Sequence, residues 1–313
     1  MFTCAHPALA TDARVALTLR TPAGLSTAEI AHAFLVSEHT MGQRLFRAKQ
    51  KVRHAGIPFR VPPDHLLPER LPSVLHVLYL LFNEGYGASG GANLVRPRLL
   101  EEAMRLARVL VSLMPDEPEA QGLLALMLLQ DSRRAARVDD AGDFTPLDKQ
   151  DRSRWDSVQI AEGLELAEKA LRRRRPGSFQ IQAAIAACHA SAPAAAQTDW
   201  RQIALLYEQL ARLTPNPVVA LNRAVAVGMA ESPEAGLLLV DELSDVLGGY
   251  HLLPATRADL LRRAGRLAEA ADAYRTALDL APTDAEQRYL RRRLDEVASG
   301  TCATTNRATP GPH

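Results

Sequence analysis

Residues 26–54, STAEIAHAFLVSEHTMGQRLFRAKQKVRH, hold two helix starts, one at Ser26 and one at Ser37. Ser26-Thr27-Ala28-Glu29 has the spacing of a capping box, in which the serine hydroxyl serves the Glu29 amide and the glutamate answers back to the Ser26 amide. The helix that follows turns Ile30, Ala31 and Phe34 inward and ends near Leu35, which leaves Leu35-Val36-Ser37 as the turn. Ser37 then caps a longer helix. In it Met41, Leu45, Ala48 and Val52 recur at intervals of four, three and four, a single narrow apolar stripe. With one more helix from Ala13 onward, the spacing predicts a three-helix head of helix-turn-helix form over residues 1–56.

Turning about 100° per residue away from that stripe puts His39, Thr40, Gln43 and Arg47, then Gln50 and His54, on or near the opposite face. Arg44, Lys49, Lys51 and Arg53 flank them, and Thr27 opens the shorter helix. Amide, imidazole, hydroxyl and guanidinium groups on one face of a helix suit base edges in the DNA major groove, while flanking cations hold phosphates. His39, Thr40, Gln43 and Arg47 are therefore the candidate base-reading residues. Thr27, Arg44, Lys49, Lys51 and Arg53 are the candidate phosphate contacts. The plainer alternative is a solvated basic face. Against it stands the charge distribution: through Pro62 there are eight basic residues and three acidic ones, whereas the rest of the chain holds 29 basic and 33 acidic. Gly42 costs the longer helix about 1 kcal/mol relative to alanine, but its missing side chain also lets the backbone approach DNA.

The whole chain, 313 residues, carries a formal charge of +1, which excludes a wholly basic nucleic-acid coat. With 47% apolar and 5% aromatic residues, and no alternating runs of Val, Ile and Thr, the composition predicts an all-α fold. No apolar run approaches the roughly 18 to 20 residues that span a bilayer, and the start, MFTCAHPALA, lacks a signal-peptide pattern. The expected location is the cytoplasm, without membrane contact. Cys4, Cys188 and Cys302 lie far apart, so neither a disulfide framework nor a zinc module is expected, and Cys4 with His6 makes a poor metal site.

Enzyme signatures are weak. Gly85 to Gly90 formally matches G-x-G-x-x-G, but Leu71 to Asn83 before it reads as helix rather than strand, and a glycine-rich loop ending that helix fits better. H-E-x-x-H, G-x-S-x-G and P-loop patterns are absent, and Asp156, Glu162 and Glu165 have the spacing of solvent-facing carboxylates. Arg172 to Arg175 reads as a solvated helix end, or else as a second site for an anionic partner. Catalysis, a cofactor and a metal are not expected.

Beyond the head, five prolines in residues 57–72 mark a linker, placed at 57–70. Residues 71–298 then read as helix after helix and 299–313 as a disordered tail. With Pro282 as a closing proline, Ala258, Leu261, Ala270, Tyr274 and Ala277 fall where a tetratricopeptide repeat puts its small and aromatic residues. Weaker matches end at Pro215, with Tyr207 and Leu210, and at Pro115, with Ala103, Ala107 and Leu110. Residues 216–247 are expected to form a degenerate hairpin between them, and 131–155 to interrupt another hairpin whose second helix spans about Ser157 to Arg174. The fold expected is the head followed by a tetratricopeptide-like stack of helical hairpins, with an irregular helical bundle as the alternative.

Residues 13–59, ARVALTLRTPAGLSTAEIAHAFLVSEHTMGQRLFRAKQKVRHAGIPF, resemble region 4 of bacterial extracytoplasmic-function (ECF) sigma factors. The likeness is closest to the subgroup with a tetratricopeptide-like C-terminal extension, and it continues through LYLLFNEGYGASGG, LQDSRRAAR, QDRSRWD, IQAAIAACHA, TDW, LNRAVAV and YHLLPATRADLLRR. The resemblance implies a protein of transcription initiation. Its helix from Ser37 onward would read the promoter's −35 element, its head would also lean on the beta flap of the RNA polymerase core, and its helical extension would modulate activity, with a regulatory protein as a possible partner. Members of that group begin with region 2, whereas FTCAHPALA matches the start of region 4. The expectation is thus a part of a longer sigma factor, or a remnant, that does not initiate transcription alone. A reading from another class is an interaction scaffold or transcription regulator without initiation activity, in which the helical repeats bind a protein.

Overall fold

The structure, a computed structural model, describes residues 9–21, 24–34, 36–56, 67–86, 97–139 and 143–305. It is all-α: the described residues form fifteen α-helices, and their one β feature is an isolated antiparallel bridge between Val138 and Phe144. Among them no helix is long and apolar enough to cross a membrane. The chain forms two compact units, residues 1–127 and 128–313.

The first unit opens with α1 (Thr11–Arg20), α2 (Thr27–Ala33) and α3 (Glu38–His54), followed by α4 (Leu67–Tyr86) and α5 (Pro97–Leu113). Leu17, Ile30, Met41, Leu45 and Val52 close the core of the head. α1 packs on α3 and also on α4. Arg14 fixes the second contact: its Nε donates to the Leu9 carbonyl at 2.7 Å and its Nη1 to Ser73 Oγ at 2.7 Å.

Two expectations shift here. Residues 67–70, placed in the linker at 57–70, are instead the first residues of α4. Pro68 lies in the first turn, where no intrahelical donor is needed, and Pro72 gives up one bond that burial of Leu71, Val74 and Leu75 offsets. Residues 57–66 lie outside the described residues, as do Cys4 and His6. Gly85, read as the start of a glycine-rich loop, stands in the last turn of α4. A Cβ there would come within 2.9 Å of the Leu100 amide nitrogen, so this glycine lets α4 and α5 approach closely. Residues 87–96, the rest of that loop, are outside the described set.

α6 (Pro118–Asp131) is buried at every position from Leu123 to Leu129. The second unit continues with α7 (Ser157–Arg172), α8 (Ser178–Ser191), α9 (Trp200–Leu213), α10 (Pro217–Ala230), α11 (Pro233–Asp241), the short α12 (Ser244–Leu247), α13 (Leu252–Arg263), α14 (Leu267–Leu280) and α15 (Asp284–Thr305). Successive helices pack as hairpins: α7 on α8, α8 on α9, α9 on α10, α10 on α11, α13 on α14 and α14 on α15. Ala258, Leu261, Ala270, Tyr274 and Ala277, the positions picked out by the repeat pattern, are all buried between α13 and α14. α10 and α11 form the expected degenerate hairpin, packed through Gly228 and Gly236.

The residues expected to interrupt a hairpin run between α6 and α7. The ends of this stretch are tied together. The buried Asp131 carboxylate accepts both Arg134 nitrogens at 2.8 and 2.7 Å and Gln159 Nε2 at 3.1 Å, and the Asp156 amide donates to the Ser132 carbonyl at 2.8 Å. Inside it the Val138–Phe144 bridge brings Phe144 edge-on to Tyr289 of α15 at 5.7 Å, and Asp143 accepts from Arg288 at 2.6 Å. Residues 299–305, placed in the tail at 299–313, belong instead to α15. Without a proline before Pro310, the lone Gly300, at about 1 kcal/mol relative to alanine, does not stop it.

Candidate nucleic-acid interface

The head is built by its caps. Ser26 Oγ accepts from the Glu29 amide at 3.1 Å while Glu29 Oε2 accepts from the Ser26 amide at 2.7 Å, the reciprocal pair that the spacing predicted. Ser37 Oγ accepts from the Thr40 amide at 3.2 Å and so starts α3. Met41, Leu45, Ala48 and Val52 are buried on one side, which leaves the other side of α3 facing outward.

On that outward side His39, Gln43 and Arg47 are exposed, one turn apart. Gln43 Nε2 lies 2.9 Å from His39 Nε2. Thr40 is partly buried, and its hydroxyl stands 2.8 Å from Ser37 Oγ, so it also serves the helix cap. Around this row Lys49, Lys51 and Arg53 are exposed, Arg44 is partly buried, and Thr27 sits partly exposed at the first position of α2. His54 turns back on its own helix, its Nδ1 2.8 Å from the Gln50 carbonyl oxygen.

Phe46, which an apolar-burial rule would place inside, is 63% exposed and lines a shallow concavity with His39, Gly42, Gln43 and Arg47. Its position between two turns of the polar face was visible in the register, but its chemistry hid it from a search for polar readers. Gly42 meets no atom within 4 Å of a built Cβ, so the backbone is accessible there. Two of the arginines counted in the head make hydrogen bonds that hold the fold. Arg14 is tied to Leu9 and Ser73, and Arg20 donates to the Leu25 carbonyl at 2.7 Å. Among the described residues no group of three or more His, Cys, Asp or Glu side chains could hold a metal ion.

Comparison with known proteins agrees with this geometry. Residues 1–52 match the model of sigma-70, region 4, and residues 70–171 match a family of unknown function, DUF6596. An uncharacterized protein of Rhizobium meliloti (strain 1021) is 49% identical over 299 residues, covering 96% of this chain and 71% of that protein. The region 4 match points to a sigma-factor-like, DNA-binding role in transcription and to a non-enzymatic family. The chain therefore belongs to the same family as the Rhizobium meliloti protein, and it carries a sigma-70 region 4 helix-turn-helix at its N-terminus.

Proposed function

We propose that the chain is the promoter-binding part of an ECF-type sigma factor. α3 lies in the major groove of the −35 element with His39, Thr40, Gln43 and Arg47 toward base edges. Thr27, Arg44, Lys49, Lys51 and Arg53 hold the flanking phosphates. The observation that carries this reading is the two-sidedness of α3, whose Met41, Leu45, Ala48 and Val52 are buried and whose Gln43, His39 and Arg47 are exposed. Phe46 adds an apolar group to the same face, suited to a thymine methyl.

In this reading the head also contacts the beta flap of the polymerase core in the cytoplasm, and the helical hairpins form a tetratricopeptide-like extension that modulates activity. The experiment is selection of duplexes by the full chain from a pool with a randomised centre. Enrichment of one short motif is expected; a bound pool with the same base composition as the input contradicts the proposal.

A further inference from the structure

A cleft of about 320 Å³ opens in the second unit, where the insertion before α7 faces α8, α9, α10 and α13. Leu147, Val225 and Met229 supply apolar wall, and Trp200 an aromatic one. His189 stands beside Trp200, edge to face, with ring centroids 5.2 Å apart. The volume is at the lower end of ligand pockets, which run from about 300 to 1,000 Å³, so it suits one ring with a short chain.

The charges lining the cleft are unequal in their partners. Asp259 accepts from Arg262 and Arg263 at 2.7 Å and from Arg293 at 3.2 Å, and Arg263 also faces Asp148 at 3.7 Å. With Glu296, which accepts from Arg293 at 2.6 Å, these three arginines face three carboxylates. Arg152 is different. Its Nη1 donates to the His189 and Ala192 carbonyls at 2.6 and 2.5 Å, and its guanidinium lies 4.5 Å over the Trp155 ring. Among the described residues no carboxylate is paired with Arg152, and its Nε is buried without a hydrogen-bond partner. Two backbone dipoles and a ring orient this cation but do not cancel it.

Its surroundings respond accordingly. Burial, then Arg133 and Arg152, push the His189 imidazole down to about 4, so at neutral pH the ring is an uncharged hydrogen-bonding group. Burial and Arg133 likewise hold Arg152 below its ordinary value. An apolar wall that ends on an uncompensated cation is the chemistry of a carboxylate site.

We propose that this cleft binds a small carboxylate with an aromatic or apolar body, the acid group toward Arg152 and the body against Trp200 and Met229. The site is independent of the DNA reading, being built wholly from the second unit.

The test uses the full chain, hydrocinnamate as probe, and its neutral counterpart hydrocinnamamide. Trp155 and Trp200 are the two tryptophans of the chain, and both lie at or beside the cleft, so intrinsic emission reads occupancy directly. Saturable change with the acid is expected, with the amide at least about tenfold weaker. Because Arg152 also ties two carbonyls, Arg152→Met is backed by Val225→Phe, which fills the cleft and leaves Arg152 in place. Val225→Phe is expected to abolish binding with an unaltered circular dichroism melt. Equal binding of acid and amide overturns the proposal, as does binding undiminished in folded Val225→Phe. Absence of saturation with benzoate, phenylacetate and hydrocinnamate alike also overturns it.

Discussion

Gln43 and His39 sit one turn apart on the exposed face of α3 with their Nε2 atoms 2.9 Å from each other. If α3 reads base edges as proposed, each can orient the other, and their contributions to DNA binding are expected to be coupled. On a selected duplex, His39→Ala and Gln43→Ala are each expected to cost about 1 to 3 kcal/mol. The double variant is expected to fall short of the sum by at least about 0.5 kcal/mol. A double-mutant cycle by fluorescence anisotropy checks this, and strict additivity refutes the pairing as a reading unit.

Phe46 separates stability from recognition. An exposed apolar side chain contributes little to the fold, so Phe46→Ala is expected to change stability by no more than about 0.5 kcal/mol while weakening binding to the selected duplex. Unfolding curves and anisotropy titrations of the same preparation decide it. Lost stability with intact binding would make Phe46 a structural residue.

How far the sequence reached can be seen in the same helix. The four–three–four spacing of Met41, Leu45, Ala48 and Val52 determines which side of α3 is buried, and both serine caps follow from local hydrogen-bonding chemistry. The α13–α14 hairpin was legible for the same reason, since small residues at fixed spacing mark where helices meet. What stayed hidden depends on partners distant in the chain. Proline content argued for a linker through residue 70, but α4 starts at Leu67 because Pro68 falls in a first turn and the residues after it are buried. The Arg14–Ser73 bond spans 59 positions, and no local pattern announces it. The cleft on Arg152 assembles from the insertion and four helices, and its groups share no sequence window.

Gly236 and Gly228 carry the α10–α11 crossing. A Cβ on Gly236 would lie 2.8 Å from the Ala224 carbonyl oxygen and 2.8 Å from the Gly228 Cα, both backbone atoms. One on Gly228 would meet the Leu260 Cδ2 methyl at 2.5 Å, the movable end of a side chain. Gly236→Ala is therefore expected to destabilise the second unit by roughly 2 to 3 kcal/mol, and Gly228→Ala by less. Urea unfolding followed by tryptophan emission reports on this unit, which holds both tryptophans. The reverse order of the two variants contradicts the backbone contact.

The neutral state of His189 sets an acid limit on the second unit. Its folded pKa is depressed to about 4 from an ordinary 6.5. Between those values the unfolded chain binds a proton that the folded one refuses, so stability falls as pH drops below about 6.5 and the loss is complete near about pH 4. From about pH 7 to about pH 5 this one group is expected to remove roughly 2 kcal/mol. His189→Gln is expected to abolish that part of the slope in the same urea experiment. An unchanged slope means that the ring is not excluded from protonation.

The reading face of α3 is tested by comparing Gln43→Ala and Lys51→Ala, each in the full chain, on a selected duplex and on a random one at several salt concentrations. A base reader and a phosphate contact differ in kind. Gln43→Ala is expected to weaken the selected duplex by about 1 to 3 kcal/mol and leave random DNA nearly unchanged. Lys51→Ala is expected to weaken both alike and to lower the slope of log affinity against log salt by about one. If both substitutions weaken both duplexes equally, α3 does not read sequence.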